Sequence, residues 1–124
     1  LDFEALVRAC GISNVRTIDP NDLKLVKETL DWALALDEPS VIITRWPCAL
    51  KRFSPEDKAE FEGAFQSRYR VDRELCIGCK ACLRSGCPAI AFDFTGKKSG
   101  IDPDQCVGCG VCAQICPKSA IVRE

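Results

Sequence analysis

The chain has 124 residues, 47% hydrophobic and 28% charged, an ordinary globular balance that excludes a disordered chain. Its formal net charge is −1, and no apolar run approaches the roughly 18 residues that span a bilayer. Neither nucleic acid nor a membrane is therefore expected as a partner, and the length allows one ordinary domain or two small ones.

Asp2 can cap a helix that Gly11 ends, with Phe3, Leu6, Val7 and Cys10 expected on one face. Residues 15–18 alternate as a short strand. Asp19-Pro20 reads as an N-cap followed by proline at the first helical position, which predicts a helix over 20–36. Leu23, Val26, Leu30, Ala33 and Leu34 would be its buried stripe. Residues 41–44 are a β-branched apolar run, as in a strand covered on both faces of a parallel sheet. Residues 1–50 are thus expected to form one helix–strand–helix–strand edge of an α/β sheet with a right-handed crossover. Two strands alone leave such a sheet open, so the expectation is a fragment of a longer polypeptide whose α/β domain lies upstream. Cys10 and Cys48 are expected as small buried hydrophobes, and Trp32 and Trp46 as packing residues.

Ser54-Pro55-Glu56-Asp57 is a serine-capped, proline-first helix start with acidic residues in its first turn. Helical propensity continues to Arg70, weakened at Gly63, with Phe53, Phe61, Phe65 and Tyr69 as the large apolar groups. Residues 51–71 read as a helical connector pinned to one neighbour by its phenylalanines, or alternatively as a docking helix for a partner subunit.

The remaining unit, 72–124, holds eight of the ten cysteines in two runs that end in Cys-Pro. The second run, Cys106, Cys109, Cys112 and Cys116, has the C-x2-C-x2-C-x3-C-P spacing of bacterial dicluster ferredoxins. In the first run, Cys76, Cys79, Cys82 and Cys87, four residues rather than three precede the last cysteine. An offset of thirty carries the first triplet onto the second, and Val71-Asp72 onto Ile101-Asp102. Each half is expected to supply a strand, a cysteine loop, a short helical turn and a return strand, at 90–94 and 121–123, with 95–100 as the link.

In ferredoxin runs of this kind the fourth cysteine ligates the other cluster. That pattern implies one 4Fe–4S cluster on Cys76, Cys79, Cys82 and Cys116, and a second on Cys106, Cys109, Cys112 and Cys87. So small a unit buries too little to be secure alone, so the clusters act as cross-links and no stable fold is expected without iron. The absence of histidine removes Rieske centres and mixed cysteine–histidine zinc sites; a four-cysteine zinc module remains the alternative from another class. Gly78, Gly108 and Gly110 let the loops wrap closely, and Pro88 and Pro117 fix the chain leaving each fourth ligand. Lys80, opposite Gly110 in the repeat, either raises the potential of the Cys76 cluster or is a solvated lysine without effect. Residues 72–124 carry seven basic and six acidic side chains, a balance that suits a built-in module better than a diffusing carrier.

Beyond the cysteines, residues 2–12, 17–20 and 39–43 resemble the last part of a thiamine-pyrophosphate-binding domain. Residues 45–50, 69–72 and 86–90, with the four-residue gap before Cys87, resemble the indolepyruvate ferredoxin oxidoreductase α-subunit family; only 51–68 departs, being longer than that family's pattern. The implied fold is α+β: 1–50 as the C-terminal edge of the thiamine domain, 51–71 as a helical connector and 72–124 as the two-cluster ferredoxin domain. The implied function is electron transfer from oxidative decarboxylation of arylpyruvates, with coenzyme A as acyl acceptor and external ferredoxin as electron acceptor. The upstream thiamine-binding domain and a partner subunit would complete a cytoplasmic enzyme of anaerobic metabolism. Thiamine pyrophosphate and magnesium belong to the parent protein, since the Gly-Asp-Gly…Asn segment that holds them is absent, and the chain alone is expected to be non-catalytic. A stand-alone dicluster ferredoxin is the closest alternative.

Overall fold

The computed structural model describes residues 1–48, 51–62, 64–65 and 67–124. Gly63 and the Ala49-Leu50 end of the 45–50 motif lie outside the described residues. The chain divides into two units, Leu1–Trp46 and Pro47–Glu124.

In the first unit, α1 (Phe3–Ala9) starts where the Asp2 carboxylate accepts the Ala5 N–H at 3.0 Å. Its inward face carries Glu4 and Val7; Phe3, Leu6 and Cys10 are exposed, which corrects the expected stripe. Glu4 is held there by the Thr17 hydroxyl, 2.6 Å away on β1 (Asn14–Ile18), and by Arg8. β1 pairs in parallel with β2 (Ser40–Thr44), Val15 opposite Val41, and α2 (Leu23–Leu34) crosses between them.

Helix α2 begins later than Asp19-Pro20 predicts. The Asp19 carboxylate instead accepts from the Asn21 backbone and side chain, closing a turn. Asp22 caps the helix through the Leu25 N–H at 3.0 Å. Thr29, fully buried, and the half-buried Val26 and Ala33 face inward, whereas Leu30 and Leu34 point outward at 49% and 84% exposure. Trp32 packs under the Arg16 guanidinium, 3.9 Å from the ring centre.

In the second unit, α3 (Pro55–Glu60) has the expected start, with a reciprocal capping box between Ser54 and Asp57. It ends ten residues short of Arg70, and Phe65 turns back at positive φ to meet Phe53 edge-on. Four short strands follow. β3 (Tyr69–Val71) pairs antiparallel with β6 (Ile121–Arg123), and β4 (Ile90–Asp93) with β5 (Lys98–Ile101). The link between the halves is therefore the turn at 94–97, because residues 98–101 are themselves a strand.

The repeat extends to individual hydrogen bonds. Asp72 and Asp102 donate their N–H groups to Ala120 and Ala89, at 2.7 and 2.8 Å, and both accept the N–H of the following cysteine, Cys76 or Cys106. Their carboxylates close turns onto Glu74 and Asp104, which aims each cysteine loop back across its strand. At the centre lie Cys82, Ile90, Cys112 and Ile121, with Tyr69, Val71 and Ile101 packed against them. The core is thus made partly of the cysteines themselves.

Candidate metal centres

Each cysteine triplet wraps a loop that leads into a short helical turn, a 3₁₀ turn at Ala81–Ser85 in the first half and α4 (Val111–Ile115) in the second. The tightness of these loops has a cause in Gly78 and Gly108, both at positive φ. A Cβ on Gly78 would stand 2.2 Å from the Lys97 carbonyl oxygen, and one on Gly108 would stand 1.9 Å from that of Ser67. Lys97 and Ser67 are themselves thirty residues apart, so each loop lies on the residues just before the other half's first strand.

Cys76, Cys79 and Cys82 line one small cavity, partly open to solvent, and Cys116 from the second run lines it too. Ala120 donates its N–H to the Cys116 sulfur at 3.3 Å. Burial raises the Cys76 thiol, but N–H groups of Ser99 and Gly78, with Lys98 and Arg73 nearby, outweigh it and bring the thiol below its ordinary range. Lys98 also hydrogen-bonds the Cys76 carbonyl oxygen. These donors suit a thiolate that carries negative charge, and four thiols around one cavity suit a polynuclear core. Among the described residues, no three cysteine or carboxylate side chains converge as a single ion requires.

The other four cysteines lie near enough to influence one another electrostatically. Burial, and then the charges of Cys109, Cys87 and Cys106, push the Cys112 thiol up to about 11. Cys87 arrives there despite the extra residue before it. Gly86, left-handed at φ 68°, is inserted after the 3₁₀ turn, donates its N–H to the Leu83 carbonyl and has open space on its Cβ side. In the second half Cys116 itself ends α4. The insertion is therefore taken up by a left-handed turn that faces open space.

Lys80 is at φ 62° where its counterpart Gly110 has φ 73°. Its ammonium stands 4.4 Å from the centre of the Phe92 ring and 5.0 Å from that of Phe94, so it rests on two aromatic faces rather than simply in solvent. Cys10 and Cys48 are exposed, against the expectation of burial; Cys10 follows the last turn of α1 as its C-cap, outside the face that meets β1. The residue missed in the sequence is Ser99, only 2% exposed, whose hydroxyl oxygen accepts from the Cys82 thiol at 3.3 Å. Its pairing with Tyr69 at the offset of thirty was the available signal.

The profile of the 4Fe–4S dicluster domain matches residues 68–117, which spans both triplets and both fourth cysteines. Residues 68–117 are a 4Fe–4S dicluster domain. The domain carries two 4Fe–4S clusters, the chemistry of electron transfer. Over 98% of its length the chain is 43% identical to indolepyruvate oxidoreductase subunit IorA of Pyrococcus horikoshii, and covers 19% of that protein. IorA of Methanothermobacter marburgensis is 38% identical over the whole chain, which covers 18% of it. Pyruvate synthase subunit PorD of the same organism is 43% identical over 44% of the chain and 62% of its own length. The chain thus spans about a fifth of the length of the IorA relatives, at their C-terminal end. No solved structure matches it. No helix among the described residues is long and apolar enough to cross a membrane.

Proposed function

We propose that Cys76, Cys79, Cys82 and Cys116 hold one cluster, and Cys106, Cys109, Cys112 and Cys87 the other. The observation that carries this reading is the cavity shared by the first triplet and Cys116 from the second run, supported by the proximity of Cys87 to Cys112. Each bound cluster would accept and return one electron at a time. The chain's own part is to supply eight thiolates, direct backbone N–H groups at sulfurs and exclude water behind Ile90 and Ile121.

The wider role is electron exit from a thiamine-dependent oxidoreductase of indolepyruvate or related 2-oxoacids, toward an external ferredoxin, in the cytoplasm. Thiamine pyrophosphate, magnesium and the decarboxylation belong in this reading to the parent protein, and the 124 residues alone are non-catalytic. Similarity to the IorA relatives across both units supports it. So does the first unit, an open two-stranded parallel sheet with Phe3, Leu6, Leu30 and Leu34 exposed, as a thiamine domain's edge would be without its covering neighbours. Residues 1–50, 51–71 and 72–124 are its edge, connector and two-cluster module.

The test is anaerobic reconstitution of the chain with iron and sulfide. Absorption near about 400 nm that bleaches with dithionite, and iron for two full clusters, is expected. Cys116→Ala should deplete the first cluster although it lies in the second run; depletion of the second cluster instead would refute the exchange. A colourless zinc-loaded chain would refute the electron-transfer role.

A further inference from the structure

We infer that Ser99 makes the two clusters electrically unequal: its hydroxyl, donating to the Cys82 sulfur, raises the reduction potential of the Cys76 cluster above that of its twin. The inference rests on the ligand assignment proposed above. Ser99 lies on β5, is 2% exposed, and its oxygen is 3.3 Å from the Cys82 sulfur. With a free thiol the S–H proton lies between them. Iron ligation removes that proton, leaving the sulfur an acceptor only, while the hydroxyl still has one proton to give. Sealed from water, it satisfies itself by turning its O–H onto the sulfur.

Such a bond favours the reduced state. An added electron increases the negative charge on the ligand sulfurs, so a donor stabilises the reduced cluster more than the oxidised one. Ser99 also lines the cavity that Cys76, Cys79, Cys82 and Cys116 share, so its hydroxyl is placed on that cluster's side of the unit. The internal repeat supplies the control. At the offset of thirty the second cluster has Tyr69, whose hydroxyl lies 2.8 Å from where a Cβ on Gly110 would be, against the loop and not on a cysteine sulfur. The same strand position thus offers a donor to one cluster and an aromatic wall to the other.

The experiment is a redox titration of the cluster-loaded chain under anaerobic conditions, read by electron paramagnetic resonance, with Ser99→Ala and Ser99→Thr variants. The unsubstituted chain should show two couples. Ser99→Ala should lower the higher one by the equivalent of about tenfold in the oxidised-to-reduced ratio, about 59 mV for one electron, and leave the other in place. Ser99→Thr, which keeps the hydroxyl, should stay near the unsubstituted value. Unmoved couples in Ser99→Ala, both couples shifting together, or Ser99→Thr falling as far as Ser99→Ala would each overturn the inference. If Ser99→Ala does not fill both sites, Ser99→Gly removes the same hydroxyl without adding volume and must give the same single shift. Iron below two full clusters in the unsubstituted chain would refute the ligand assignment itself. Full iron with unmoved couples would refute only the role of Ser99.

Discussion

Three glycines at nearly equal φ separate backbone strain from steric exclusion. Gly86 (φ 68°) has nothing within 4 Å of where a Cβ would stand, Gly78 (φ 69°) faces the Lys97 carbonyl oxygen at 2.2 Å, and Gly108 (φ 73°) faces that of Ser67 at 1.9 Å. Alanine at any of them takes the left-handed penalty of roughly 1–2 kcal/mol. At Gly86 that is the whole cost. At the other two a carbonyl must also move, and overpacking adds roughly 1–3 kcal/mol. The carbonyls differ in freedom. Lys97 is an exposed turn residue, whereas Ser67 is 8% exposed and its hydroxyl accepts from Arg123 at the end of β6.

The expected order of damage is therefore Gly108→Ala, then Gly78→Ala, then Gly86→Ala. Unfolding that releases iron is irreversible, so the suitable quantity is a rate: bleaching of the visible absorption of the loaded chain at fixed guanidinium without oxygen. A penalty absent from the transition state accelerates unfolding about tenfold per 1.4 kcal/mol. Gly86→Ala should bleach about tenfold faster than the unsubstituted chain, and Gly108→Ala roughly a hundredfold or more. A Gly108→Ala chain that bleaches no faster than Gly86→Ala would refute the claim that close approach to Ser67 dictates this glycine.

Asp22→Ala should speed hydrogen exchange of the Leu25 amide about fivefold, for a cap worth about 1 kcal/mol, while Asp19→Ala should leave that amide unchanged. Thr29 is fully buried, and its hydroxyl has no partner among the described residues. Thr29→Val should therefore slow exchange across α2, since removing an orphan hydroxyl relieves its desolvation cost; faster exchange would reveal a partner. Asp93 is held below its ordinary 3.8 by the Gly96 N–H first and by Arg73 next. Its contribution is complete above the unfolded value and lost as pH falls through the folded one, so bleaching should be flat down to about pH 4 and then accelerate. Asp93→Asn should bleach faster at neutral pH and show a weaker acid dependence.

The cysteine half was legible because its spacing is dictated by how thiolates approach one inorganic core, a constraint that survives any detail of packing. The four-residue gap before Cys87 was legible as a departure, but not its solution, which depends on Gly86 taking a left-handed turn into open space. The first half was legible in element type and less so in face. Asp19-Pro20 carries the capping signal, and only the geometry at Leu25 shows that Asp22 takes the role instead. Leu30 and Leu34 belong to the apolar periodicity of α2, yet β1 and β2 meet its Val26–Thr29–Ala33 side, and nothing local distinguishes a face awaiting another layer from one already covered. The end of α3 at Glu60 was hidden for a related reason: propensity runs on to Arg70, but the strand demanded by β6 begins at Tyr69.

The pairing of strands explains why two clusters and one core form together. Had each half closed on itself, β3 would pair with β4 and β5 with β6. Instead the first strand of the unit pairs with the last, and the middle two pair with each other, just as Cys116 crosses to the first triplet's cavity and Cys87 to the neighbourhood of Cys112. Neither half can then complete a sheet alone, nor, in the proposed assignment, a ligand set. Iron lost from one site should weaken both, because Cys82 and Cys112 belong to one buried cluster with Ile90 and Ile121. The unit is in this sense one cooperative object with two metal cross-links. A chelator titration that bleached the two clusters in independent steps, without mutual acceleration, would contradict that coupling and would leave each half as a separate domain.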